Sequence, residues 1–157
     1  MRQLLLLCGW LFALPLPALA TTAPAAASAG EGPLSYALRA LGTRYRYGGS
    51  SPETGFDCSG LIAHAFAQGS RLAVPRTAQA QSKLGTPVKR PNLAPGDLVF
   101  YNTRSQPYSH VGMYIGNGRF IHAPKPGARV RIERFDTPYW RARFNGARRL
   151  DLENGVH

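Results

Sequence analysis

Phe56-Asp57-Cys58-Ser59-Gly60-Leu61-Ile62-Ala63-His64-Ala65-Phe66 is the stretch on which the organisation of this chain depends. Leu61, Ile62 and Ala65 follow Cys58 by three, four and seven residues, which is the spacing of one face of a helix. The stretch therefore predicts a helix that carries a cysteine in its first turn, at the end of its core-facing side. The helix dipole and the unpaired N–H groups at this end favour a thiolate, whereas the preceding carboxylate opposes it. Cys58 is either a nucleophile or a small buried apolar residue, which is a common fate of free cysteine.

The first twenty residues have the layout of a secretory signal, with a basic start, an apolar run and an Ala18-Leu19-Ala20 cleavage motif. Two prolines interrupt the run before it reaches the ~20 apolar residues that a membrane-spanning helix needs. Cleavage removes Cys8, whose context does not resemble a lipidation signal, and leaves Cys58 as the one cysteine of an exported chain. Because thiols normally pair outside the cytoplasm, this favours a reactive Cys58.

The chain divides into a signal peptide at 1–20, a flexible linker at 21–32, one domain at 33–150 and a tail at 151–157. The formal charge of +11 favours an anionic partner. Export, and the lack of any nucleic-acid-binding motif, argue against nucleic acid as that partner. An anionic cell wall or outer envelope fits an exported chain better, although the arginines could also reflect host composition.

Helical patterns precede strand patterns along the domain. The predicted helices are 33–41, 58–68 and a short one capped by Thr77; the predicted strands are 97–101, 110–115, 119–123, 129–134 and a last one ending near Leu150. This order predicts an α+β fold in which N-terminal helices pack on one side of an antiparallel sheet of about five to six strands.

Two histidines flank the hairpin predicted around residues 116–118, because His110 begins its first strand and His122 nearly ends its second. With a two-residue turn the two imidazoles fall on opposite faces of the sheet. With a three-residue loop His122 lies opposite Gly112, on the same face as His110 and diagonal to it. Only the second register brings the imidazoles together, and a two-residue turn without a bulge would exclude it.

If the sheet packs on the Cys58 helix, three roles can be assigned from the residues alone. Cys58 is the nucleophile, His110 is its base, and His122 holds the imidazole of His110 in the correct tautomer. The same three residues could instead hold zinc with one open position. We rank zinc second because the short-range ligand pairs that are usual in zinc sites are absent, and we expect neither metal nor cofactor.

At these positions the chain resembles the NlpC family of bacterial cell-wall cysteine peptidases, and within it the murein endopeptidases of the Gram-negative periplasm. The resemblance extends from Gly42 to Leu150 and implies a compact papain-like fold. It rests on the following motifs, in order: Gly42-Thr43-Arg44-Tyr45-Arg46, Gly48-Gly49, Asp57-Cys58-Ser59-Gly60, Pro75-Arg76-Thr77, Gly96-Asp97-Leu98-Val99, His110-Val111-Gly112, Tyr114-Ile115-Gly116-Asn117, Phe120-Ile121-His122-Ala123, Pro138-Tyr139-Trp140 and Ala147-Arg148-Arg149.

The resemblance implies the same roles for Cys58, His110 and His122, and gives Tyr45 a hydroxyl that helps to form the oxyanion hole. It further implies that three residues line the substrate groove, where a carboxylate can receive an amine of the stem peptide: Asp57, Ser59 and Arg76. The murein endopeptidases that the chain most resembles are lipoproteins, whereas residues 1–20 of this chain have the layout of a cleavable signal.

The implied reaction is hydrolysis of a peptide bond in peptidoglycan stem peptides through a thioester, without metal. The D-alanyl–diaminopimelate cross-link is favoured and the γ-D-glutamyl–diaminopimelate bond comes next. The expected location is the periplasm, with a secreted or wall-associated protein as second choice, and the expected state is a monomer. Three alternatives stay open at this point: a non-catalytic peptidoglycan-binding module of the same fold, a zinc-dependent cell-wall amidase, and acyl transfer to an amine.

Overall fold

Residues 31–152 are described by the computed structural model. The predicted signal peptide, most of the linker and the end of the tail lie outside the described residues. The helices are α1 (Pro33–Arg39), α2 (Cys58–Ser70), α3 (Ala78–Gln81) and α4 (Pro138–Arg143), with a 3₁₀ turn at Arg90–Asn92. Within residues 31–152, none of these helices is long and apolar enough to cross a membrane.

The strands form one small and one large antiparallel sheet. They are β1 (Ser50–Ser51), β2 (Gly55–Phe56), β3 (Thr86–Val88), β4 (Leu98–Tyr101), β5 (His110–Gly116), β6 (Arg119–His122), β7 (Arg131–Arg134) and β8 (Phe144–Arg149). β1 pairs with β2, and the other six strands form a sheet in the order β3-β8-β4-β5-β6-β7. The predicted α+β layout, with N-terminal helices on one side of a six-stranded antiparallel sheet, is confirmed.

One face of the large sheet packs on α1 and α2. Leu61 and Ile62 of α2 are fully buried in a core that also contains Phe100, Val111 and Met113 of the sheet. The helix predicted at 58–68 was expected to stop at Gly69, and this is wrong. It continues to Ser70 and is capped by Arg71, which has a left-handed backbone conformation. The glycine instead lets α1 approach, since a Cβ added there would lie 2.4 Å from the backbone nitrogen of Pro33.

The opposite face of the sheet is covered by α4, which the sequence did not predict. Trp140 of α4 is 6% exposed and packs with Val99, Tyr101 and Phe120, side chains that alternate along their strands with those facing α2. Pro138 stands at the first position of this short helix, where proline is tolerated because the N–H it lacks would have no helical partner. A second aromatic core therefore lies behind the sheet.

The β5–β6 hairpin has the predicted register at the histidines but a different turn. Met113 pairs with Ile121, which places Gly112 opposite His122, as expected for the register that brings the imidazoles together. The predicted three-residue loop is wrong. Asn117 and Gly118 form a two-residue turn. A bulge between Tyr114 and Gly116 then shifts the pairing of β5 with β6 by one residue, so that the register at the histidines is the one a three-residue loop would have given.

Gly112 allows β6 to approach β5 beside His122. A Cβ at this position would lie 2.6 Å from Phe120 Cδ2 and 3.2 Å from the Cβ of His122. Gly112→Ala should therefore lower the free energy of unfolding by about 1–3 kcal/mol, measured by urea denaturation. The exposed Arg119→Ala on β6 is the control and should stay within about 0.5 kcal/mol of wild type. A Gly112→Ala protein as stable as the control would contradict this close approach.

Candidate active site

Cys58 is the first residue of α2, and Asp57 fixes where that helix begins. The carboxylate of Asp57 accepts a hydrogen bond from the Gly60 N–H at 2.7 Å, which is the N-cap interaction that short polar side chains make. Its other oxygen accepts from the N–H of Gly48 at 2.9 Å. The half-buried cysteine is therefore held at the junction of the helix with the preceding loop.

Arg76 completes this junction. Its two terminal nitrogens donate to the two carboxylate oxygens of Asp57, each at 2.8 Å, in a bidentate ion pair. The same guanidinium donates to the Ser59 hydroxyl at 3.0 Å and to the carbonyl of Gly49 at 3.1 Å. The three residues expected in the substrate groove are thus brought together, and their mutual contacts hold the start of α2 against the loop.

A cavity of about 460 Å³ opens in front of Cys58. The residues lining it include Tyr45, Asp57, Cys58, Ser59, Arg76 and Arg104. Burial is the main influence that raises the pKa of the Tyr45 hydroxyl, and the neighbouring Cys58 and Asp57 raise it further, whereas Arg104 opposes the shift. Tyr45 therefore keeps its proton at neutral pH and can donate a hydrogen bond into the cavity.

His110 and His122 are in direct contact. Nε2 of His110 lies 2.8 Å from Nδ1 of His122, with both rings buried. Trp140 stacks on the ring of His110 at 5.7 Å between centroids and an interplanar angle of 22°. The predicted pairing of the two imidazoles is confirmed, and the rings are fixed by aromatic packing as well as by the hydrogen bond.

Glu133 on β7 stands behind His122 and was missed from the sequence. Its Oε1 lies 3.6 Å from Nε2 of His122, a buried nitrogen with no closer partner among the described residues. The Nε1–H of Trp140 donates to Glu133, and Nε of Arg131 donates to it at 2.5 Å. The neighbouring His122 is the largest influence that lowers the pKa of Glu133, to about 2, and the hydrogen bonds from Trp140 and Arg131 lower it further. Glu133 is therefore a carboxylate at neutral pH.

The ionised Glu133 decides the tautomers of both histidines. A carboxylate accepts hydrogen bonds only, so His122 carries its proton on Nε2, the nitrogen that faces Glu133. Nδ1 of His122 is then an acceptor, which places the proton of His110 on Nε2. The remaining nitrogen of His110, Nδ1, is left with a free lone pair and can act as a base.

Cys58 lies against the first residues of β5. The backbone N–H groups of Val111 and Ser59 point to its sulfur and favour the thiolate, but burial is the larger influence and raises the pKa of the thiol. Burial, His122 and Arg104 together lower the pKa of His110 well below its ordinary value. Burial therefore opposes the thiolate that the helix end favours. At neutral pH both groups therefore rest uncharged, the Cys58 thiol against the start of β5 and the imidazole of His110 at the first residue of that strand.

A metal site does not fit this arrangement of nitrogens. His110 Nε2 and His122 Nδ1 face each other at 2.8 Å across a hydrogen bond, so these two nitrogens point at each other and not at a common metal position. Within residues 31–152, no group of three or more histidine, cysteine or acidic side chains is placed to hold a metal ion.

Arg104 is the second residue that the sequence did not single out. It lies in the loop between β4 and β5, is exposed, and lines the same cavity as Tyr45 and Cys58. Its positive charge lowers the pKa of Cys58 and of Tyr45. No periodicity or spacing marks a loop arginine in a chain with so many arginines, so only the folded structure identifies it.

Comparison with known proteins identifies relatives over most of the described region. The profile of a family described as NlpC/P60 family matches residues 42–149. The chain is 42% identical over 116 residues to Murein DD-endopeptidase MepH of Escherichia coli (strain K12), covering 72% of this chain and 43% of that protein. It is 41% identical over 112 residues to Gamma-DL-glutamyl hydrolase of Bacillus subtilis (strain 168), covering 71% of this chain and 27% of that protein. The chain thus spans less than half the length of either relative.

The fold also matches a solved structure at the scale of a complete domain. The crystal structure of the NlpC/p60 domain of peptidoglycan hydrolase SagA has a TM-score of 0.65 to this chain at 30% sequence identity. The match covers 76% of this chain and 97% of that one. The region described here is therefore equivalent to one entire domain of that structure.

Glu133→Gln tests the assignment of the tautomers. In a glutamine only one of the two positions that face His122 and Trp140 can hold the acceptor oxygen, and the other holds an NH₂ donor, so both histidines should become mixtures of tautomers. Imidazole ¹⁵N chemical shifts measure this directly, and wild type should show the proton on Nε2 of each ring. The exposed Glu53→Gln should leave the shifts unchanged. A wild-type His122 protonated on Nδ1, or unaltered tautomers in Glu133→Gln, would contradict the assignment.

Proposed function

Because the chain belongs to the NlpC/P60 family, we propose that it is a cysteine peptidase that hydrolyses peptide bonds in peptidoglycan stem peptides. The observation that carries this proposal is the buried His110–His122 pair, which Glu133 aligns at the start of the strand against which Cys58 lies. A module that only binds the cell wall has no need for a base oriented in this way.

The first half of the reaction forms a thioester. Nδ1 of His110 takes the proton of the Cys58 thiol while the sulfur adds to the carbonyl carbon of the scissile bond. The Tyr45 hydroxyl, with a backbone N–H near Cys58, donates to the oxyanion that develops. The C–N bond then breaks, and the His110 imidazolium gives its proton to the departing amine.

The second half regenerates the enzyme. His110 takes a proton from a water molecule that attacks the thioester carbonyl, and the carbon–sulfur bond breaks to release a carboxylic acid and the Cys58 thiolate. The imidazolium of His110 returns the proton to the sulfur. His122 keeps the ring of His110 in place through both halves, because the hydrogen bond between the two rings uses Nε2 and leaves Nδ1 free for proton transfer.

The bond proposed as substrate is the D-alanyl–diaminopimelate cross-link, with the γ-D-glutamyl–diaminopimelate bond as second candidate. The relatives support both, since one is called a DD-endopeptidase and another a γ-DL-glutamyl hydrolase. Asp57, Ser59 and Arg76 are proposed to line the groove for the acyl side of the bond. The side chain of Arg76 is 42% exposed, so the Asp57–Arg76 pair can meet a peptide while holding the start of α2.

The proposed site of action is the periplasm, where residues 1–20 would direct the chain and be removed. The formal charge, +11 for the whole chain and 11 − 1 = +10 once Arg2 is removed with residues 1–20, would then favour association with the anionic cell envelope. This association would concentrate the enzyme near its polymeric substrate, and salt would weaken it because it depends on charge.

Digestion of purified sacculi tests the proposed function. Wild type should release muropeptides that mass spectrometry identifies as products of peptide-bond cleavage, and Cys58→Ala should reduce the rate by more than about 10³-fold. Chelator should have no effect. Unfolding curves of Cys58→Ala and wild type control for folding.

Equal products from both proteins would rule out Cys58 as the nucleophile. A wild type that sediments with sacculi but yields no product would be a binding module. Loss of activity to chelator, together with stoichiometric zinc in elemental analysis, would replace this mechanism with a metal-dependent one.

A further inference from the structure

A second cavity, of about 500 Å³, is lined in part by Glu133 and Trp140, and none of the four proposed catalytic residues lines it. It is bounded by the β4–β5 loop, the β6–β7 connection and α4. The residues that matter here are Arg104, Lys125, Arg131, Glu133, Tyr139 and Trp140.

Arg104 and Trp140 connect this second cavity to the active site. Arg104 lines both the second cavity and the one in front of Cys58. Trp140 forms part of the second cavity and also stacks on the imidazole of His110. The second cavity is therefore on the His110 side of the reacting centre.

The charges around the second cavity favour an anion. Arg104 and Lys125 are exposed, and neither takes part in the side-chain ion pairs of residues 31–152, although Arg104 hydrogen-bonds to the uncharged Tyr45 hydroxyl. Glu133, the one acidic residue among those that line it, is already engaged by Arg131, Trp140 and His122. The positive charges of Arg104 and Lys125 can therefore attract an anionic ligand, because Arg131 already balances the negative charge of Glu133.

The direction of proton transfer indicates which part of the substrate enters this cavity. His110 must give its proton to the departing amine, so the amine-bearing fragment leaves on the His110 side. In diaminopimelate, each carbon that carries an amine also carries a carboxylate. In the D-alanyl cross-link, the carboxylate beside the scissile nitrogen is free. In the γ-D-glutamyl bond, the corresponding carboxyl group is tied up as an amide wherever the stem continues.

We propose that the second cavity binds the amine-bearing fragment of the substrate, and that Arg104 binds the free carboxylate beside the scissile nitrogen. Lys125 adds a second positive charge to the same cavity. This inference rests on the proposed function and deepens it, because it makes Arg104 the residue that selects the cross-link. An arginine suits the role, since its planar fork of donors matches a carboxylate.

The experiment compares two cross-linked muropeptide dimers that differ in one group, the free or the amidated carboxylate beside the scissile nitrogen. Wild type should show a kcat/KM about 10-fold or more higher for the free carboxylate, the range expected for a charged hydrogen bond. Arg104→Gln should lose most of that preference, because it should slow the free-carboxylate dimer much more than it slows the amidated dimer, which feels only the loss of positive charge near Cys58 and Tyr45. Arg104→Lys should recover part of it, and the exposed Arg119→Gln, on the far end of β6, should behave as wild type.

The outcomes separate this inference from the function beneath it. Turnover of both dimers by wild type at equal rates would overturn the role of Arg104 in selecting a carboxylate. An Arg104→Gln variant that slows equally on both dimers would do the same, because it would place the effect on Cys58 or Tyr45. Absence of Cys58-dependent turnover of either dimer would instead overturn the proposed function, and this inference with it.

Discussion

The contact between the ionised Glu133 and the buried edge of His122 is the interaction on which the site depends. It favours the proton of His122 on Nε2. Nδ1 of His122 then accepts the 2.8 Å hydrogen bond from Nε2 of His110, which sets the tautomer of His110 as well. The result is a lone pair on His110 Nδ1, although burial keeps the ring neutral. A histidine pair without the carboxylate would have no fixed direction, because imidazole tautomers interconvert freely.

The proposed nucleophile and its proposed base belong to different layers of the fold, and different contacts hold each of them. Asp57 and Arg76 fix the start of α2, so the position of Cys58 follows from an N-cap and a bidentate ion pair. The β5–β6 bulge and the packing of Trp140 fix the histidines. The two layers meet where Cys58 lies beside the Val111 N–H, so packing of α2 on β5 assembles the site.

The parts of this site that sequence could predict are those governed by local rules. The start of α2, the order of helices and strands, and the placement of the two histidines on one face followed from spacing, capping and strand alternation. The turn was predicted wrongly, since a bulge and a longer loop give the same register at the histidines. Glu133 and Trp140 were missed because their roles arise from the pairing of β7 and the docking of α4, which are tertiary contacts.

The proposed mechanism depends on one step, in which a peptidoglycan peptide acylates Cys58 after His110 has taken the proton of the thiol. Hydroxylamine added during digestion of a cross-linked muropeptide tests it most directly, because this amine intercepts a thioester. Wild type should form the hydroxamate of the D-alanyl donor peptide, and Cys58→Ala should form none. Hydrolysis by wild type that yields no hydroxamate, or hydroxamate formed without Cys58, would contradict it.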